Sequence, residues 1–524
     1  MSANPLFETA ATIGDALIRQ VVAQPRTTAL LFEGRSWTFG ELAVEVERLA
    51  AFLVGRGLAR GDRIAWWGKN HADYLMLLLA CARTGMTLVV VNWRLAEREI
   101  QRIFDDCQPS LIVVTEDYAA FAPAGSWVAG ATAIGSCSPL ATATGAPLEA
   151  LPHVHPDEPF VQLYTSGTTD VPKGVPQSHR NHLGCYRAWS GSGFGIWDGS
   201  DRVLVSLPVF HAIGTNFSLY ALLQGASVHL LREFSPDACV EALGSGEISR
   251  MPLVPVMIDM LARDERVASM RHDRLRTIIY GGSSISASVL DRGMAVFGCD
   301  FAQGYAATET TSAGTLLAPA DHRCDDPPLR SCGRPMLGID LQVRGPDRSP
   351  LPDGTVGEIA LRGDAVMTGY WNRPEETAKV LVQGWYHTGD AGFRDGSGLV
   401  TIVGRTRDMM ISGGENVYPS EVEAPLVEHP DVLEAAVFGV PDESWGDRVT
   451  AALVIAQGRP VPELDEMRSF LDPLLARYKH PRQLLIVPSL PRNPTGKLMR
   501  DALLRAALEA KALELSEPAK GDEH

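Results

Sequence analysis

Phe160-Val-Gln-Leu-Tyr164-Thr165-Ser-Gly-Thr-Thr-Asp170-Val-Pro-Lys173-Gly-Val175 is an apolar run that breaks into a turn crowded with hydroxyls and glycine. The run has the length and side chains of a buried strand, and the Gly, Thr, Asp and Pro after it are loop-forming residues. A loop of this composition can aim several backbone N–H groups and hydroxyls at phosphate oxygens, with Lys173 adding a mobile positive charge. The G-x-x-x-x-G-K-S/T spacing of the P-loop NTPases is absent. Taken alone the stretch is as readily a polar connection, so its meaning depends on the chain around it.

On both sides, short β-branched runs alternate with helical segments. Thr38-x-x-Glu41 is a capping box, and Leu42, Val46, Leu49 and Leu53 fall on one face of the helix it opens. Asp62-Arg-Ile-Ala-Trp-Trp67, Thr87-Leu-Val-Val-Val-Asn92 and Leu111-Ile-Val-Val-Thr115 are strand candidates, with a helix around Leu75. Downstream the pattern repeats in Arg202-Val-Leu-Val-Ser-Leu-Pro-Val-Phe210-His211, in Ser227-Val-His-Leu-Leu231 and in Leu275-Arg-Thr-Ile-Ile-Tyr280. The alternation predicts an α/β fold with a largely parallel sheet, whose ligand sites lie beyond the carboxyl ends of the strands. The Thr165 loop, His211 and Gly281-Gly-Ser-Ser284 fall at such ends.

Beyond about residue 340, strand runs with turn signals predict a smaller β subdomain, and after Arg405 the chain restarts as a compact α+β unit. The tail after Leu498, rich in Glu and Ala, reads as a helix. This places one domain at residues 1–406 and a second at 407–524.

A chain of 524 residues exceeds what one core supports. The formal charge of −16 argues against a duplex- or RNA-binding surface but not against a nucleotide pocket, which needs only a local nest of donors. The eight cysteines are scattered without a C-x-x-C pair, and the nearest two, Cys324 and Cys332, read as incidental. That usage predicts a reduced, cytoplasmic protein. The first ten residues lack a signal-peptide pattern, and the longest apolar run, residues 74–82, is too short to span a bilayer. Low complexity is limited to residues 129–146, expected as a surface loop.

Eight stretches then line up: the Thr165 loop, Phe210-His211, Gly281-Gly-Ser283, Gly304-Tyr-Ala-Ala-Thr-Glu309, Tyr386-His-Thr-Gly-Asp390, Gly404-Arg-Thr-Arg-Asp408, Gly413-Gly-Glu-Asn416 and Pro494-Thr-Gly-Lys497. Their order and spacing resemble the adenylate-forming superfamily, in its acyl- and aryl-CoA ligase branch, from about Ala29 to Arg500. The resemblance implies a large N-terminal domain binding ATP and acid, and a small mobile C-terminal domain carrying the catalytic lysine. The implied reaction joins a carboxylate to ATP, giving acyl-AMP and pyrophosphate, and then transfers the acyl group to coenzyme A. The implied acids are medium- or long-chain fatty, aryl or arylalkenoic.

By the same resemblance Thr165, Ser166, Thr168 and Lys173 hold the β- and γ-phosphates, with Gly167 and Thr169 completing the loop. Glu309 ligates Mg²⁺, a hard cation suited to carboxylate and phosphate oxygen, and Thr308 meets the α-phosphate. Tyr305 offers a flat face to adenine, Gly281, Gly282 and Ser283 bring backbone to its edge, and Asp390 and Arg405 serve the ribose or phosphate. Lys497 bridges the carboxylate and α-phosphate. Arg407 is the hinge, and Gly413 and Gly414 leave room for a pantetheine arm. Phe210, His211, Asn216, Val256 and Gly304 line the acyl pocket, with His211 walling or gating it. Read locally, each has a plainer alternative: Glu309 as a helix-start carboxylate, Asp390 as a turn residue, Lys497 as a surface lysine, Gly413-Gly414 as a turn.

Two positions stand apart. Asp170 replaces the glycine usual after Thr-Ser-Gly-Thr-Thr, setting a charge near the phosphates. His179 and His182 show a metal-like spacing, but no third ligand lies nearby, so zinc is not expected. His211, where amino-acid-activating relatives carry Asp, argues against a free α-amino acid. No carrier domain follows Lys497, so the acceptor comes in trans, with CoA favoured over a separate acyl carrier protein. A non-catalytic nucleotide-binding protein is the rival from another class, and a luciferase-like oxygenation is open by motif. The segment around Lys497 also resembles those modified by a lysine acetyltransferase. Oligomeric state is left open, a homodimer included.

Overall fold

Six parallel strands form the centre of the larger sheet, in the order Asp300–Tyr305, Thr277–Gly281, Arg250–Leu253, Arg202–Val205, Ser227–Leu230 and Thr28–Phe32. Antiparallel strands close both edges: Arg35–Thr38 on one side, Thr315–Leu317 and then Arg334–Pro335 on the other. This computed structural model describes residues 9–129, 153–165, 172–192, 197–283, 285–323, 328–329, 331–442, 444–492 and 498–516, the last seven of these by backbone alone. The low-complexity stretch falls almost wholly outside them, as does Cys324.

A second sheet of six strands runs Trp127–Ala129, Leu111–Thr115, Arg63–Trp67, Thr87–Val91, Pro159–Thr165 and Lys173–Ser178. Its strands are parallel except for the last pair, an antiparallel hairpin. The residues of Thr87–Val91 are buried throughout, as a continuous β-branched run requires when both faces are covered. Thr38 caps the helix Phe39–Gly55: its Oγ1 accepts from Glu41 N–H, and the Glu41 carboxylate accepts from Thr38 N–H. Leu42, Val46, Leu49 and Leu53 are the face that helix buries, as the spacing predicts.

The chain divides into two compact units. The first comprises Met1–Gln342, Ala360–Thr388 and Asp395–Thr401; the second Val343–Ile359, Gly389–Arg394 and Ile402–His524. The strands Asp340–Arg344, Gly357–Arg362, Trp385–Arg394 and Val400–Arg405 lie where the chain passes from one unit to the other. In the second unit, Val432–Asp442 and Gly446–Ile455 make a long antiparallel pair extended by Met410–Ser412, Glu415–Val417 and Gln483–Ile486. One face of this sheet packs on Val422, Leu426, Met467 and Leu471, the other on Leu503 and Ala507 of the helix Arg500–Ser516. Among the described residues no helix is long and apolar enough to cross a membrane, and Cys81, Cys107, Cys185, Cys239 and Cys299 are free.

Candidate active site

The hairpin Pro159–Thr165 and Lys173–Ser178 sets Thr165 directly opposite Lys173. The predicted loop residues Ser166, Gly167, Thr168, Thr169 and Asp170 lie outside the described residues, as does Lys497. Lys173 is buried to 10% side-chain exposure; its Nζ lies 2.8 Å from Glu376 Oε2 and 5.1 Å from the ring centre of Tyr370. Tyr370 Oη donates to Glu309 Oε1 at 2.9 Å. One tyrosine thus joins the predicted phosphate-binding cation to the predicted Mg²⁺ ligand.

Glu309 sits in the turn that follows the strand Asp300–Tyr305, and it is 9% exposed. Groups from four separate segments hold that turn. Gln177 Nε2 donates to the Thr308 carbonyl at 2.8 Å, and Met367 N–H to the Glu309 carbonyl at 2.8 Å. Asn216 Nδ2 donates to the Thr311 carbonyl and Ser312 Oγ, and Trp189 Nε1 to the Ser312 carbonyl. Thr311 and Ser312 have φ of 52° and 67°, a left-handed conformation that a β-branched residue adopts only when its surroundings impose it.

Gly281 and Gly304 pair across adjacent parallel strands. A Cβ on Gly281 would come within 2.5 Å of the Gly304 carbonyl oxygen, and one on Gly304 within 2.9 Å of the Trp189 ring. Both positions therefore exclude side chains, so the two strands close tightly on each other and on Trp189 just before Gly282, Ser283 and Tyr305. Phe210 is buried, edge-on to Trp93, with the His211 ring 4.5 Å from its own. Burial, and secondarily the Arg94 charge, lower the His211 imidazole to about 4, so it is neutral at pH 7. Val256 is 63% exposed on the helix Pro255–Ala262. With its nitrogen spent on the turn, Asn216 has only its buried Oδ1 left, which no described group satisfies.

Within the second unit Asp390 and Arg405 form an ion pair, Nε to Oδ1 at 2.8 Å. Gly389, φ 72°, donates its N–H to Glu358, and its carbonyl accepts from Thr406 Oγ1. The predicted hinge residue Arg407 is half-exposed in the short turn Thr406–Asp408. Gly413, φ 63°, lies against Trp445, whose ring a Cβ there would approach to 3.1 Å; Gly414 has open space and φ 85°.

The histidine pair carries no metal geometry. His179 Nδ1 accepts from Ile13 N–H at 3.1 Å, anchoring the helix Ile13–Ala23, and His182 lies between Tyr186 and Gln177. Sequence reading overlooked Gln177, Tyr370 and Glu376. A glutamine between Pro176 and Ser178, in a short strand that opens on the predicted phosphate-loop lysine, is the one signal that could have singled out Gln177.

Residues 17–371 match the model of the family described as AMP-binding enzyme, and residues 421–497 that of the AMP-binding enzyme C-terminal domain. The chain is 38% identical to ScoC, a fatty acid–acyl-carrier-protein ligase of Streptomyces coeruleorubidus, over 92% of this chain and 93% of that protein. It is 36% identical to a feruloyl-CoA synthase of an Amycolatopsis species, over 94% of this chain and 98% of that one. Among solved structures, the o-succinylbenzoate CoA synthetase MenE of Bacillus subtilis, in complex with the acyl-adenylate OSB-AMP, matches with a TM-score of 0.82. That likeness carries 29% identity and covers 93% of this chain and 97% of MenE.

Proposed function

The chain belongs to the AMP-binding enzyme family, and on that premise we propose that it is an AMP-forming acid–CoA ligase. A carboxylate oxygen attacks the α-phosphorus of ATP, the bond to the β-phosphate breaks, and pyrophosphate leaves. The CoA thiolate then attacks the acyl carbon and expels AMP. The first step brings two anions together, so it needs positive charge and donors fixed where they meet.

The observation that carries this reading is the Lys173–Tyr370–Glu309 cluster. Lys173 would take the polyphosphate. Glu309 would hold Mg²⁺: one carboxylate oxygen is engaged by Tyr370, and the other accepts nothing from the described residues. Bound there, Mg²⁺ would screen the triphosphate charge. Thr308 would meet the α-phosphate, Asp390 and Arg405 the ribose, and Phe210 and neutral His211 would wall a mainly apolar acyl pocket suited to a fatty or aryl acid. Lys497 would bridge carboxylate and α-phosphate, and acetylation there would remove its charge. We place the protein in the cytoplasm, Cys81, Cys107, Cys185, Cys239 and Cys299 being free thiols.

A second reading, transfer to a separate acyl carrier protein, is favoured by the 38% identity to ScoC. The test is AMP formation from ATP and Mg²⁺ across short to long fatty, benzoic and phenylpropenoic acids, each with and without CoA. Turnover that requires CoA and peaks on one acid class is the expected result. Acid-dependent pyrophosphate exchange without CoA-dependent turnover would move the acceptor to a carrier protein. Lys497→Ala should abolish acyl-adenylate formation yet spare thioester formation from supplied acyl-adenylate, and equal loss in both half-reactions would refute its role.

A further inference from the structure

Lys173 has a carboxylate for company that the reaction does not call for. Glu376 stands in the first turn of the helix Pro374–Val380, reaching Lys173 with Oε2 and Lys379, one turn on, with Oε1. The bonds to Lys173 and then Lys379 hold its carboxyl down to about 2, so it is ionised at any working pH. Lys173 has little room elsewhere: its ammonium is bounded by the Tyr370 ring and its side chain is 10% exposed.

We propose that Glu376 is a resident counter-ion which the polyphosphate of ATP displaces from Lys173, so that this one carboxylate sets ATP affinity and helps pyrophosphate leave. The inference rests on reading Lys173 as a phosphate ligand. An ammonium on a flexible four-carbon stem can change partners with a small swing, which a bidentate arginine could not. The exchange is cheap for Glu376 because Lys379 remains bonded to it, so no carboxylate is left unpaired when Lys173 turns away. When the β- and γ-phosphates depart as pyrophosphate, Glu376 is at hand to reclaim the ammonium. Glu376 does not touch substrate in this scheme; it is a positioning residue acting through Lys173.

The test separates nucleotides by their phosphates. Binding of MgATP, pyrophosphate and AMP is measured by calorimetry on wild type, Glu376→Gln, Lys379→Ala and Lys173→Ala. Glu376→Gln should tighten MgATP and pyrophosphate by about two- to fivefold, the range a part-exposed ion pair is worth. AMP, which lacks the β- and γ-phosphates, should bind unchanged. Lys379→Ala should act in the opposite sense, weakening MgATP, because Glu376 then has Lys173 as its one partner. Both effects should shrink in 0.5 M salt, roughly a Debye length of 4 Å. Weaker MgATP binding in Glu376→Gln, or an equal change for AMP, would overturn the proposal. If Lys173→Ala binds MgATP as well as wild type, the phosphate role of Lys173 itself is wrong. If it binds weakly while Glu376→Gln is silent, only the counter-ion role falls.

Discussion

Tyr370 does two things with two parts of one side chain. Its hydroxyl donates to Glu309, and its ring lies against the Lys173 ammonium. The two can be cut apart. Tyr370→Phe keeps the ring and loses the donor, so Glu309 is released while Lys173 stays in place. A hydrogen bond to a charged group is worth about 1.5–3 kcal/mol, so adenylation should slow roughly tenfold or more. The Michaelis constant for ATP should hold in Tyr370→Phe but rise in Tyr370→Leu, where the cation loses its aromatic face. Steady-state pyrophosphate release against ATP concentration measures both, and equal Michaelis constants in the two variants would sink the split. Little of this was legible in sequence. Glu309 and Lys173 stand in motifs whose residue types announce charge and phosphate, whereas Tyr370 lies in Gly369-Tyr-Trp-Asn-Arg-Pro374, which reads as a turn before a helix. Only the fold brings it beside residues 61 and 197 positions away.

At the scale of elements, local pattern did well where the determining contacts are local. The Thr38–Glu41 box, the buried face of Phe39–Gly55 and the strand before Thr165 all depend on neighbours a few residues apart. The turn carrying Thr308 and Glu309 does not, since its anchor Gln177 is 131 positions away. The hydrogen bonds there fix their own directions. Gln177 spends its nitrogen on the Thr308 carbonyl, so its oxygen must accept, and the proton of His182 therefore sits on Nε2; Nδ1 then accepts from Tyr186 Oη. Gln177→Leu leaves the His182 N–H unpaired in the core, at a cost of about 1–3 kcal/mol, and leaves the Thr308 carbonyl with the Thr311 N–H as its remaining donor. Adding His182→Leu removes that orphan, so the double variant should be more stable to urea than Gln177→Leu alone. Its activity should stay low, because the turn has still lost the one anchor that reaches Thr308 from the strand Lys173–Ser178. Additive destabilisation, or full activity in the double variant, would show that Gln177 is packing rather than anchor.

At the scale of the molecule, the first unit buries ionisable groups that make its stability depend on pH in a definite direction. His71, His179 and His182 are at most 1% exposed, and burial lowers them to about 4, 4 and 3. Such groups bind no proton when folded but do once unfolded, so their contribution is intact above the unfolded value near 6.5 and is lost as pH falls toward 4. Asp73 opposes them. Burial raises it to about 7, so the folded state holds a proton that the unfolded state releases, favouring folding more as pH falls from 7 toward 4. Between pH 6 and 5 the balance of these four groups is a net uptake of two protons on unfolding, or roughly 3 kcal/mol lost per pH unit at about 1.4 kcal/mol per proton. No single position in the sequence announces this. The spacing of His179 and His182 resembles a metal pair without a third ligand, and it takes the packing around them to show two neutral rings. Asp73→Asn removes the opposing group. It should therefore gain stability above pH 7, where the wild-type carboxylate is charged and dry, and its acid loss below pH 6 should steepen by about one proton. Urea denaturation at pH 8, 6 and 5 measures both slopes, and parallel curves for the two proteins would show that Asp73 titrates in the folded chain as it does in the unfolded one.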